Sequence, residues 1–97
     1  MVVKRKVVWT REAKKQVDLI LGYIVENWGE KEATSFLDTL YQFECIVCSF
    51  PFTYRKSKQL KECRLGYIHK HITAIYQVSN KSITILTVID NRSNISR

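Results

Sequence analysis

The sequence predicts an α+β fold in the order β-α-α-β-β-β, a helical hairpin packed on one face of an antiparallel sheet. Three observations predict it. Two stretches in the first half repeat apolar residues at three- and four-residue steps. Two runs in the second half are rich in β-branched residues. The length of 97 residues allows one domain with a single small core.

The elements follow in order. Val2 to Trp9 is short and β-branched, which makes it the first strand. Thr10 then stands where a hydroxyl can accept from a free N–H of a first helical turn. Glu12 follows where a negative charge suits the helix dipole. Ala13, Val17, Ile20, Leu21, Ile24, Val25 and Trp28 form one apolar stripe on a helix from about Arg11 to Trp28. Gly22 weakens that helix by about 1 kcal/mol relative to alanine. Gly29 is placed to end it in a left-handed cap.

A second helix begins near Glu30. Its stripe is Ala33, Phe36, Leu37, Leu40, Phe43, Ile46 or Val47, and Phe50, and Pro51 ends it. So short a connection makes the two helices an antiparallel pair. "FPFTYRKSKQLK" has no period and reads as a basic loop. The runs "ECRLGYIHKHITAIYQV" and "SITILTVID" are joined by "SNK", a hairpin signal. Glu62 to Val78 exceeds a usual strand of about 5–6 residues, so it breaks at Gly66 or within His69–His71. Beyond the break, Ile72, Ala74, Tyr76 and Val78 alternate with Thr73, Ile75 and Gln77.

Hydrophobic residues make up 45% and charged residues 26%, a globular balance rather than a disordered one. No apolar run approaches the roughly 20 residues of a membrane span. "MVVKRKVVW" lacks the apolar stretch of a secretory signal, so a cytoplasmic protein with no membrane partner is expected. Sixteen Lys and Arg against nine Asp and Glu give a net charge of +7. That excess favours polyanions or acidic protein partners. It is uneven: six Lys or Arg and one acid, Glu62, lie between Arg55 and Lys70.

Cys45, Cys48 and Cys63 are an odd set, which argues against a disulfide framework. "CIVC" falls near a helix end rather than at the helix N-terminus where a redox thiol is activated. With a histidine the three could supply four zinc ligands, but in no common zinc spacing. They read as small buried hydrophobes. His69 and His71 flank Lys70 as a possible metal pair, acid/base pair or polar turn. No metal and no cofactor is expected.

At its joints the chain resembles the RelE/ParE superfamily of toxins from bacterial type II toxin–antitoxin systems. "VWTREAK" is similar to the family's strand-to-helix opening, and "YIVENWGEKEATSFLDTL" to its helical hairpin. "FPFTYRKS" resembles the segment that leads into the basic loop. "CRLGYIHKHITAIYQV" resembles the central hairpin, with its turn at His69-Lys70, and "ITILTVIDNRSN" the last strand and its exit. The resemblance implies a toxin that halts growth and a cognate antitoxin that neutralises it. It also implies operator DNA reached only through the antitoxin. RelE-like members cut messenger RNA on the ribosome, and ParE-like members act on DNA gyrase. The shared fold does not choose between them.

The resemblance also implies candidate residues. Arg92 matches the arginine after the last strand of RNA-cleaving members, where it would stabilise phosphate charge. Arg64 falls where the first hairpin strand carries a basic residue that would contact RNA. His71 could act as acid or base. Arg55, Lys56, Lys58 and Lys61, with Lys70, would draw in nucleic acid or dock an acidic antitoxin; the alternative is a solvated loop. Two departures weigh against RNA cleavage. Thr73 replaces an arginine of well-known RNA-cleaving members, and no tyrosine follows the last strand through Arg97. The expected function is a ParE-like, gyrase-directed toxin or one of an unassigned branch. The alternatives are a ribosome-dependent mRNA interferase using Arg64, His71 and Arg92, and a non-toxic antitoxin partner.

Overall fold

The computed structural model describes residues 5–91. Its elements are β1 (Lys6–Trp9), α1 (Arg11–Trp28), α2 (Glu30–Ser49), β2 (Arg64–His69), β3 (Ile72–Val78) and β4 (Ser82–Asp90). The element order is the expected one.

Thr10 caps α1 as its sequence position suggests: its hydroxyl oxygen accepts from the Ala13 N–H at 3.1 Å. Gly29 joins the helices alone. Its N–H donates to the carbonyls of Ile24 and Val25, both at 3.1 Å, and its own carbonyl accepts from the Ala33 N–H. The backbone there has φ 96° and ψ 173°, so the residue is a positive-φ elbow rather than the left-handed helical cap expected.

The sheet order is β1-β4-β3-β2. β2–β3 and β3–β4 are antiparallel, but β1 joins β4 in parallel, so the sheet is mixed rather than wholly antiparallel. The reason lies in where α2 delivers the chain. The Cys48 thiol, in its last turn, donates to the Arg5 carbonyl at 3.0 Å, beside the start of β1. β2 therefore starts from that end, and two tight reversals give β4 the direction of β1. The open edge of β4 is then the place left for β1.

The helices cover one face of this sheet. Ala13, Ile20 and Ile24 of α1 and Phe36, Phe43 and Val47 of α2 meet Ala74, Tyr76, Ile83 and Ile85 in the core. Each large side chain buried there contributes about 1.5–3 kcal/mol. Val47 points inward and Ile46 is exposed, which resolves the alternative left by the pattern. The stripes are wider than the sheet can cover: Val25, Trp28, Leu37 and Phe50 are exposed.

The central hairpin turns at Lys70-His71, one residue later than expected, with His69 opposite Ile72. The basic loop is partly ordered by pairing. Leu65 N–H donates to the Arg55 carbonyl at 3.0 Å and Ser57 N–H to the Cys63 carbonyl at 2.8 Å. These bonds close the first part of the outer edge of β2. Cys63 is buried, whereas Cys48 is half-buried and Cys45 exposed, so only Cys63 behaves as the small core residue expected. No helix among the described residues is long and apolar enough to cross a membrane.

Candidate functional site

Arg64 opposes Tyr76 across β2–β3 and so shares the helix-facing side of the sheet. Its guanidinium stands 4.9 Å from the centre of the Phe52 ring, and its Nη1 donates to the Tyr54 carbonyl at 2.7 Å. His71 is at the other end of the hairpin, separated by the length of β2, roughly 17 Å. Arg92 lies outside the described residues. Its neighbour Asn91 donates its N–H to the His71 carbonyl at 2.7 Å, so the exit of β4 reaches His71. Arg64 belongs to a different part of the surface.

The histidines stand with ring centres 6.4 Å apart and tilted by 49°. His71 sits in the turn rather than at the start of β3. Among the described residues no cluster of three His, Cys, Asp or Glu could hold a metal ion.

An aromatic cluster fixes the loop after α2. Phe43 lies 5.7 Å from Tyr54 and 6.1 Å from Tyr76, and the two tyrosines are 6.4 Å apart. The Tyr76 hydroxyl donates to the Pro51 carbonyl at 2.9 Å. Burial pushes the Tyr76 pKa up to about 12 and raises that of Tyr54. Tyr76 is therefore a protonated core residue at neutral pH and no general base.

On the face away from the helices, Thr53, Tyr54, Arg55, Leu65, Tyr67 and Thr73 line a hollow of about 480 Å³. Thr73 offers a hydroxyl there, and Arg55 is the cation on the rim. Lys56, Lys58 and Lys61 are exposed on the same loop, whereas Lys70 lies at the far turn, so the basic residues do not form one patch. Arg5, Phe52, Tyr54 and Tyr67 are contributors that the sequence reading passed over. The alternation of aromatics in "FPFTY" was the available signal.

A second hollow, of about 430 Å³, opens between the helices. Leu40 and Val17 give it an apolar floor, Leu37 and Tyr41 stand at its rim, and Trp9 closes one side by donating its Nε1–H to the Glu44 carboxylate. Leu19, Tyr23, Leu37 and Tyr41 are exposed on the hairpin, Tyr41 by 66%. The hairpin therefore leaves several large apolar side chains in solvent, two of them, Leu37 and Tyr41, beside the hollow. The charges separate accordingly. Seven of the nine acids are on the helices, but only Arg11, Lys14, Lys15 and Lys31 of the sixteen bases. The positive excess of the sequence therefore lies wholly outside the two helices.

The sequence matches the ParE toxin of type II toxin–antitoxin systems, parDE, over residues 7–95. A search of curated proteins by sequence finds no match. Among solved structures, the fold is similar to the chromosomal ParDE system of P. aeruginosa, with 18% identity and a TM-score of 0.77 over 90% of this chain and 96% of that one. It is also similar to the E. coli DinJ–YafQ toxin–antitoxin complex, at 10% identity and a TM-score of 0.65 over 94% and 97% of the two chains. The YoeB dimer of Staphylococcus aureus matches at 12% identity and a TM-score of 0.56 over 88% and 94%. The family match spans nearly the whole described chain and the fold agrees with it: this chain belongs to the ParE toxin family of type II toxin–antitoxin systems.

Proposed function

We propose that the chain is a cytoplasmic toxin of the gyrase-directed branch, which inhibits growth until its antitoxin binds. The observation that carries this reading is the separation of Arg64 from His71. A phosphodiester-cleaving site needs its base, its acid and its cations within hydrogen-bond reach of one scissile group. Here Arg64 is held by the Tyr54 carbonyl and Phe52 at one end of the hairpin, and His71 is at the other. Thr73 supplies no charge between them. The family match supports the same branch.

The antitoxin's place, in this reading, is the apolar hollow between α1 and α2. Its Trp9, Leu37 and Tyr41 suit an amphipathic helix laid into a groove. The neutralised pair would reach operator DNA through the antitoxin alone.

Purified toxin incubated with gyrase, ATP and supercoiled plasmid is expected to trap linear, protein-linked DNA. Added to translating ribosomes, it is expected to leave messenger RNA intact. Site-specific cuts in the messenger, with no trapped DNA, would replace this reading with the RelE-like one. Undisturbed growth after induction would leave only the partner role.

A further inference from the structure

At the end of the sheet where β1 begins, two arginines converge on one exposed ring. The Arg5 guanidinium carbon lies 5.5 Å from the centre of the Phe52 ring, and that of Arg64 lies 4.9 Å from it. Phe52 is 59% exposed. Each guanidinium is also fixed by one hydrogen bond to a backbone carbonyl, Arg5 Nε to Ser79 at 2.7 Å and Arg64 Nη1 to Tyr54 at 2.7 Å. A guanidinium has five N–H donors, so each keeps several for a ligand. Among the described residues, no carboxylate pairs with either.

Two like charges on one ring repel each other, and an anion bridging them would turn that repulsion into attraction. The surroundings favour an anion too. Lys6 donates its N–H to the Lys81 carbonyl at 2.9 Å, which places two further exposed cations at the same end. Phe50 is 68% exposed, and the α2 turn that carries it is tied to Arg5 through Cys48. Positioned cations beside an exposed aromatic ring are the elements of single-strand recognition: the cations follow the phosphates, and the ring receives a base.

We propose that this end of the sheet, built from Arg5, Arg64, Lys6, Lys81 and the ring of Phe50, binds single-stranded nucleic acid. Arg5 and Arg64, pre-set on Phe52, clasp the phosphate backbone, and Phe50 stacks a base. The proposal does not depend on which cellular target the toxin poisons. An acidic protein segment is the competing occupant, but an amphipathic segment of that kind is better suited by an apolar hollow. That hollow lies between the helices.

The test is fluorescence anisotropy of a labelled oligothymidylate of about 20 nucleotides with the purified full chain over a salt titration. The Arg5→Gln/Arg64→Gln double variant is expected to bind about tenfold or more weakly, with a salt slope shallower by about 1.4, the share of two phosphate contacts on a single strand. Lys14→Gln/Lys15→Gln on α1 removes the same charge and is expected to stay within about twofold. Phe50→Leu keeps the charge and is expected to weaken binding about fivefold through lost stacking. Thermal melts accompany every variant. If the arginine pair does not fold, Arg5→Gln/Lys81→Gln replaces it with the same expectation. Equal weakening by the sheet and helix variants would overturn the proposal, since net charge alone would explain it. So would a duplex of equal length binding at least as tightly. Displacement by polyglutamate as effective as by unlabelled oligothymidylate would assign the site to an acidic protein instead. A parallel titration with oligouridylate distinguishes RNA from DNA, and a preference for either supports the site.

Discussion

The Thr10 hydroxyl donates to the carbonyl of Leu86 at 2.7 Å, 76 residues along the chain. That carbonyl is available because Leu86 is the extra residue of a bulge in β4: Ile75 opposes Thr87, and Tyr76 opposes Ile85. The same hydroxyl caps α1 through Ala13. One side chain thus fixes the start of a helix to an irregularity in the sheet. Thr10→Val keeps the shape and removes both bonds. It is expected to lower stability by about 1–2 kcal/mol in urea unfolding, with Thr10→Ser recovering most of the loss.

Gly66 is there because Phe43 is. A Cβ at Gly66 would stand 2.5 Å from Phe43 Cζ and 3.1 Å from Tyr76 Cε1, with no flexible chain end to move aside. Gly66→Ala is expected to destabilise the fold by about 1–3 kcal/mol. Shrinking the ring should relieve the clash. Gly66→Ala/Phe43→Leu is therefore expected to unfold at a higher urea concentration than the two single losses would sum to, and additive losses would speak against the contact.

Tyr76 gives the protein an alkaline limit. Its hydroxyl is protonated in the fold up to about pH 12, whereas an unfolded tyrosine ionises near its ordinary value of about 10. Above the unfolded value the native chain holds a proton that the unfolded chain has released. Stability is therefore fully present below about pH 10 and declines between about 10 and 12. Absorbance titration should show one tyrosine ionising late, together with unfolding. Tyr76→Phe should remove the late step and also lower stability at neutral pH by about 1–2 kcal/mol, because the Pro51 carbonyl loses its donor.

The fold was legible because its signals are local and repeated. Both helices were bounded from the apolar period, Thr10 and the single glycine between them. The parallel union of β1 with β4 was not, because a strand's own sequence does not name its partner. The candidate site was less legible for the same reason. Arg64 looked like a free cation until the fold placed Phe52 and the Tyr54 carbonyl beside it. Arg5 stands just ahead of β1, far from Phe52 in the sequence, and nothing local pairs the two. The hairpin turn was expected at His69-Lys70 and falls instead at Lys70-His71, with Ile68 as the extra residue of a bulge just before it.

The hollow between the helices carries a prediction about the antitoxin. Tyr41 is exposed at its rim and Leu37 lies beside it. A carboxylate placed there would have to be desolvated under an apolar helix. Tyr41→Glu is expected to weaken antitoxin binding by tenfold or more, about 1.4 kcal/mol or beyond, in calorimetry with the purified cognate antitoxin. Its thermal stability should hardly change, since the side chain is already in water. Lys58→Glu on the loop is the comparison. A larger loss there would move the docking face from the helices to the basic loop.

His71 separates the two toxic mechanisms most directly. As a general acid or base it would contribute about 100-fold or more to RNA cleavage, and His71→Ala would abolish growth arrest. The structure holds its backbone rather than its ring, through the Asn91 N–H on its carbonyl. Alanine preserves that bond. In the gyrase-directed reading, His71→Ala therefore arrests growth as the parent does, and so does His71→Gln. Induction of each variant from a titratable promoter, with colony counts over time, measures this. Survival of the alanine variant at levels where the parent kills would bring the imidazole back as a reacting group, and with it the ribosome as the target.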